Sequence, residues 1–303
     1  SGSEMQPPLG WNTTVIELNF RSLITPVGIV RFFEIFLSCT AFSLVAASTD
    51  FKGPYGAWCM FTWCFCFIVS VLIVVVELFG FSEKLPLSWD DFTSAFAMLA
   101  ALMVFTSSIM YPTTFLTGTC SDSICPYQAA ATAMSCVCFI AYSIEVGLTR
   151  ARPGDISSFL ATVPGLLKVF EAYVACLIFS LVSDPKPYKI EPGQQWCIAV
   201  YSICFIVTLL IIILTIGRCL TYIPFPLEKV LVGYNAVAVL LYLTAAIIWP
   251  IFNFRGNPRP NSCGRDCSWN RLLGVTFLTF FNLIAYIVDL VYSSKMVFVT
   301  RTA

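Results

Sequence analysis

Seven ionisable side chains stand inside otherwise apolar runs, and chemistry would be sought there first. Arg31 and Glu34 lie one helical turn apart, and Lys168 and Glu171 repeat that spacing. Glu77, Glu145 and Asp289 fall near the ends of three further runs. In hydrocarbon such groups either mark ion or proton pathways or pair with one another. A charge at a helix centre costs about 2.5–3.5 kcal/mol on insertion scales, against about 0.3–0.6 returned by each Leu, Ile, Phe or Val. Pairing at i,i+3, or extension toward the headgroups, has to offset that cost. Interhelical pairing is favoured over a pathway. A path built into both halves would not lose Glu77, whose counterpart is Thr215. Arg31, Glu34 and Glu145 are expected to form one bonded cluster, mirrored by Lys168, Glu171 and Asp289, all toward one side of the membrane with no chain of polar groups crossing it.

Other chemistries find little footing. The chain has no histidine, which removes Ser-His-Asp and Cys-His catalysis and His-ligated zinc. Neither Tyr-Asp nor Gly-x-Gly-Asp occurs, so an aspartyl intramembrane protease is disfavoured. Cys64 and Cys66, like Cys136 and Cys138, are spaced i,i+2 and point to different sides of a helix, which suits core filling better than metal. No catalytic, cofactor-binding or metal residue is therefore assigned, and no cofactor is expected. Seventeen basic residues, balanced by seventeen acidic ones and scattered, argue against nucleic acid as a partner. Cys120-x4-Cys125 and Cys263-x3-Cys267 occupy equivalent loops and are expected to close two disulfides. Cys219, just past the sixth apolar run, is a candidate palmitoylation position.

The elements that must hold these residues are membrane helices. The chain of 303 residues is 58% hydrophobic and only 11% charged, where soluble domains average about 25% charged. A spanning helix needs about 20 apolar residues, and eight runs qualify: Pro26–Ala47, Ala57–Phe79, Phe92–Tyr111, Tyr127–Thr149, Pro164–Ser183, Trp196–Gly217, Val230–Trp249 and Arg271–Val291. Their short connections favour antiparallel bundles. Ser1–Asn19 is polar and lacks a signal-like apolar core, so the first spanning helix is expected to direct insertion. Ala129, Ala133 and Ala141 repeat at multiples of four and suggest a close helix contact.

The two halves are copies of one another. Gly28-Ile-Val-Arg31-Phe-Phe-Glu34 recurs as Gly165-Leu-Leu-Lys168-Val-Phe-Glu171, and Trp58-Cys59 recurs as Trp196-Cys197. Tyr111-Pro112 matches Trp249-Pro250, and Ala141-Tyr142 with Glu145 matches Ala285-Tyr286 with Asp289. Four helices per copy make this a parallel repeat. The expected organisation is an amino-terminal tail over 1–21, four-helix units over 22–154 and 155–298, and a short tail over 299–303, with a groove left between the copies. The loop cysteines fix the orientation better than the weak basic-residue bias does. Oxidised loops belong outside, which leaves both termini cytoplasmic. Asn12-Thr-Thr14 would then lie inside and stay unglycosylated.

Several runs also resemble the myeloid-associated differentiation marker family. They are Phe61-Thr-Trp-Cys-Phe-Cys-Phe67, Pro86-Leu-Ser-Trp89, Thr149-Arg-Ala-Arg-Pro-Gly154 and Ala161-Thr-Val-Pro-Gly-Leu-Leu-Lys168. Met5-Gln-Pro-Pro8 and the stretch Leu87–Leu99 look most like its marker-like protein 2 branch. The resemblance implies an all-α integral membrane fold of two four-helix MARVEL domains with cytoplasmic termini. It also implies association with cholesterol-rich membrane domains, vesicle trafficking and cell junctions, with no catalytic residue carried over. The resulting expectation is a non-enzymatic, multi-pass protein of the plasma membrane and trafficking vesicles that organises membrane domains. Its expected partners are membrane lipids, cholesterol among the candidates, and other membrane proteins. The alternative is an ion or small-solute transporter using the embedded charges.

Overall fold

A computed structural model of the chain describes residues 19–48, 51–116, 123–151, 156–183, 191–219, 226–264 and 267–302. A single turn, α1 (Phe20–Leu23), precedes α2 (Pro26–Ser48), α3 (Pro54–Leu78), α4 (Trp89–Phe115) and α5 (Cys125–Leu148). After a 3-10 segment (Ile156–Ala161) come α6 (Val163–Val182), α7 (Pro192–Ile216), α8 (Leu227–Phe254) and α9 (Ser268–Thr302). Eight of these helices, α2 to α9, are long and apolar enough to cross a membrane. Proline opens several of them, as at Pro54 and Pro192, where its missing N–H removes no intrahelical bond.

The helices outrun the apolar stretches that announce them. Helix α4 begins at Trp89 and carries Asp90 and Asp91 in its first turn, where acids complement the helix dipole. Helix α9 continues to Thr302, so Asp289 is an interior residue of its helix and not one near its end. Apolarity locates the part of a helix in hydrocarbon, while backbone hydrogen bonding carries it on into the polar interface.

Helices α2 to α5 close a ring in which α2 packs on α3 and α5, and α4 packs on the same two. Helices α6 to α9 repeat the ring in the same order. The buried face of α5 is Gln128, Ala131, Ser135, Cys138, Ala141, Tyr142 and Glu145. Ala129 and Ala133 are exposed, which corrects the expectation that they mark a helix contact. Small residues are equally at home against lipid, and Ala131 and Ser135, two residues on, face the interior instead.

One helix joins the two rings. Helix α4 packs against α6, α7 and the 3-10 segment, burying Ala95 together with Leu160, Val169 and Ala172. Hydrogen bonds cross this seam as well. Tyr173 Oη donates to Thr106 Oγ1 at 2.7 Å, Leu160 N–H to Asp91 Oδ1 at 2.7 Å, and Ser88 N–H to the Ile216 carbonyl at 2.8 Å. Along α4 the copies therefore meet in packed contact where the sequence reading places a groove. Gly28 and Gly165 serve the same purpose in both copies. A Cβ at Gly28 would stand 2.5 Å from the Ser22 carbonyl oxygen, and one at Gly165 would meet that of Phe159. The chain folds back too closely there for any side chain.

Candidate functional site: two buried charge clusters

Helix α2 delivers Arg31 to the interior of the first ring, α3 delivers Glu77, and α5 delivers Glu145. Arg31 Nη1 lies 2.6 Å from Glu77 Oε2, and Arg31 Nε donates to Glu145 Oε1 at 2.6 Å. The planar guanidinium fork thus ties three helices with two charge-assisted bonds. Trp89 Nε1 adds a bond to Glu77 Oε1 at 3.0 Å. Glu34 is fully buried beside this group, yet among the described residues no donor reaches either of its carboxyl oxygens. The structure thus gives Arg31 direct ion pairs with Glu77 and Glu145 and none with Glu34, whose carboxyl lies against that of Glu145. Two sides of the guanidinium are already taken by α3 and α5.

In the second ring Lys168 plays the central part. Its Nζ lies 2.8 Å from Glu171 Oε2 and 2.7 Å from Asp289 Oδ2, and donates to Asn235 Oδ1 at 2.6 Å. Ser293 Oγ donates to Asp289 Oδ1 at 2.9 Å, and Asn235 Nδ2 to Ser293 Oγ at 3.2 Å. The rings of Tyr234 and Tyr286 stand 4.9 and 5.1 Å from the ammonium, close enough for cation–π attraction. Thr215, the counterpart of Glu77, bonds its own helix at the Ile211 carbonyl. Asn235, the counterpart of Ala97, takes over the contact to α8. Reading charges alone missed Asn235, Ser293 and Trp89. An Asn amid the apolar stretch of α8 was the available signal.

Neutral polar pairs continue the interior of both rings, and they repeat between copies. Trp63 Nε1 donates to Ser135 Oγ at 2.9 Å, and Tyr201 Oη bonds Thr279 Oγ1 at 2.7 Å in the equivalent place. Ser70 bonds Tyr142 at 2.8 Å, as Thr208 bonds Tyr286 at 3.0 Å. Asn282 Nδ2 donates to Tyr242 Oη at 2.8 Å. Neutral polar side chains are therefore not confined to the level of the charge clusters. Buried polar side chains occupy successive levels, each joining two helices. Lipid offers no hydrophobic drive for helices to associate, so such bonds and close packing hold the rings together.

A cavity of about 460 Å³ opens at the end of the first ring that carries α1, and its wall includes Arg31, Glu77, Trp89 and Asp90. Glu34, Glu145, Glu171 and Asp289 do not line it. Among the described residues no group of three or more metal-binding side chains occurs. Cys263 and Cys267 form a disulfide between α8 and α9. Cys125 is disulfide-bonded as well, while Cys120 lies outside the described residues. Cys219 is exposed just beyond α7. Cys66 and Cys138 are buried, whereas Cys136 is exposed and Cys64 partly so.

Two like-directed rings of four membrane helices, each knotted internally by a base between acids, define a tandem multi-pass membrane protein. Residues 22–148 and 159–292 match the family model for the MARVEL membrane-associating domain, and the chain belongs to that family. It is 46% identical over 293 residues to the myeloid-associated differentiation marker of Rattus norvegicus, covering 92% of each chain. Against the Homo sapiens marker it is 45% identical over 291 residues, covering 92% of this chain and 90% of that one. Against myeloid-associated differentiation marker-like protein 2 of Homo sapiens it is 42% identical over 308 residues, covering 98% and 99%. No solved structure matches the chain.

Proposed function

We propose that this protein is a non-enzymatic organiser of membrane domains. It gathers ordered, cholesterol-rich lipid and other membrane proteins around two rigid helical rings at the plasma membrane and in trafficking or junctional membranes. The observation that carries this reading is the division between interior and exterior. Inside, each basic group is held by acids on neighbouring helices, and the cavity stops at Arg31 and Glu77. Outside, rigid aromatic surface faces the lipid, with Phe33 58% and Phe36 63% exposed on α2, and Phe277 and Phe281 each 57% on α9. Flat, stiff rings suit the flat face of a sterol. A conducting path needs connected water, whereas interior polar groups such as Trp63 with Ser135 and Tyr201 with Thr279 bond each other across helices.

The same reading places both termini in the cytoplasm. The Cys263–Cys267 loop joins the opposite ends of α8 and α9, and a disulfide persists on the oxidising side. Cys219 then faces the cytoplasm, where an acyl chain is added. The units over 22–154 and 155–298 act as one body through α4, and the seven embedded ionisable residues serve alignment. Purified protein in defined liposomes should show saturable crosslinking to a photoreactive cholesterol analogue and ion leakage no greater than empty liposomes. Leakage that Glu145→Gln or Asp289→Asn abolishes would give the case to transport.

A further inference from the structure

The cavity at the α1 end of the first ring has no counterpart in the chemistry of the second, and the repeat makes the comparison residue by residue. Its wall carries Trp89, Thr93 and Ser94 from α4, and Glu77 from the end of α3. The second copy has Leu227, Leu231, Val232 and Thr215 at those positions. Leu231, with Phe159 in the place of Ser22, is buried in the seam against α4. In the first copy Ser22 lines the cavity instead, with Ser158 and Ala161 of the 3-10 segment completing part of its wall. Had the space simply turned toward lipid, apolar side chains would line it. Glu77, Asp90 and the hydroxyls of Ser22, Thr25, Thr93 and Ser94 share its wall with Val27, Leu148, Ala151 and Ala161.

The charge of the wall decides what fits. Among the described residues of the wall Arg31 is the only basic group, and Glu77 and Glu145 already hold it. Glu77 and Asp90 also face the space, so the described lining carries one net negative charge. An anion would meet a guanidinium already engaged and two carboxylates that repel it. A cation would meet those carboxylates, the hydroxyls of Thr93 and Ser94, and the indole of Trp89, which adds cation–π attraction. A volume of about 460 Å³ lies within the range of about 300–1,000 Å³ typical of small-ligand sites.

We propose that this cavity binds a primary ammonium group, carried by an aminophospholipid headgroup at the membrane surface or by a small soluble amine. A primary ammonium offers three N–H donors to the two carboxylates and the hydroxyls. A quaternary ammonium has none to offer. The site is independent of sterol binding on the outer surface, and either stands if the other fails.

Native mass spectrometry of the purified full chain tests it, with phosphatidylethanolamine, phosphatidylcholine and phosphatidylglycerol of identical acyl chains, and with ethanolamine as competitor. Phosphatidylethanolamine should bind at least about tenfold tighter than the other two, the discrimination one charge-assisted hydrogen bond supplies. Asp90 is exposed at the cavity mouth, so Asp90→Asn should fold normally and weaken binding by about tenfold. Thr93→Leu, which introduces the side chain the second copy carries as Leu231, should fill the space and abolish the preference. Glu228→Gln, at the second-copy counterpart of Asp90, should change nothing. Displacement of the lipid by ethanolamine at comparable concentration assigns the site to soluble amines, and failure to displace assigns it to the lipid headgroup. Phosphatidylcholine or phosphatidylglycerol binding as tightly as phosphatidylethanolamine overturns the proposal. So does a preference that survives both Asp90→Asn and Thr93→Leu.

Discussion

A single side chain can hold three membrane helices when its geometry suits the task. Arg31 bridges α3 and α5 from α2 because its fork offers separate edges to Glu77 and Glu145. Removing it leaves two acids in the interior without their counter-charge, which costs about 3–5 kcal/mol when one member of a buried pair is lost. Arg31→Ala should therefore lower the thermal unfolding temperature of the detergent-solubilised protein sharply, by circular dichroism. Arg31→Lys should recover part of the loss, since one ammonium cannot present two planar edges. The neutral ties are weaker individually. Trp63→Phe removes one bond to Ser135, and its effect should stay near the roughly 0.6–1.7 kcal/mol measured for interhelical bonds in membranes. Equal losses from Arg31→Ala and Trp63→Phe would mean that the charges contribute no more than ordinary polar packing.

At the scale of the element, the entry turn and the outer loop place different demands on the sequence. Gly165→Ala forces a methyl group against the Phe159 carbonyl at the start of α6. Overpacking of this kind costs about 1–3 kcal/mol, and here no flexible side chain can yield. The substitution should lower the unfolding temperature, whereas Gly233→Ala, where an added Cβ meets nothing within 4 Å, should leave it unchanged or raise it. The Cys263–Cys267 disulfide closes a very short loop, with a sequence separation of 4. The chain-entropy model assigns such a loop on the order of 2 kcal/mol. Cys263→Ser should thus lower the stability of the fold by no more than this, by denaturant unfolding under oxidising conditions.

The whole molecule depends on an unsymmetrical joint. Helix α4 of the first copy meets α6 and α7 of the second, and the apolar stretches of α4 and α6 are half or more buried, 56% and 50%. Polar ties occupy several levels of that joint: Ser88 and Asp91 toward one end, Thr106 nearer the other. Combining Asp91→Ala with Tyr173→Phe removes two of them and leaves each ring's interior intact. Denaturant unfolding, expected as one transition in the unaltered chain, should then separate into two. A single transition in the double variant would show that apolar contacts such as Ala95 with Val169 suffice to couple the rings.

Much of this was written in the sequence. Eight apolar runs and the repeat of Gly28–Glu34 in Gly165–Glu171 determine an eight-helix tandem architecture, because the length of an apolar run is a local property. The expectation that each embedded base sits among acids of its own half rests on the same ground, since hydrocarbon penalises isolated charge wherever the helices lie. Which acid meets which base was a matter of tertiary structure. Arg31 turns to Glu77 and Glu145 and leaves Glu34 without a donor, although Glu34 is one turn away on the same helix. Asn235 stands in for Glu77 from a different helix. The inward face of α5 and the polar pairs at every level likewise depend on how each helix is rotated in its ring. Alanine and serine suit lipid and interior almost equally, so only the packing of neighbouring helices decides which way each of them points.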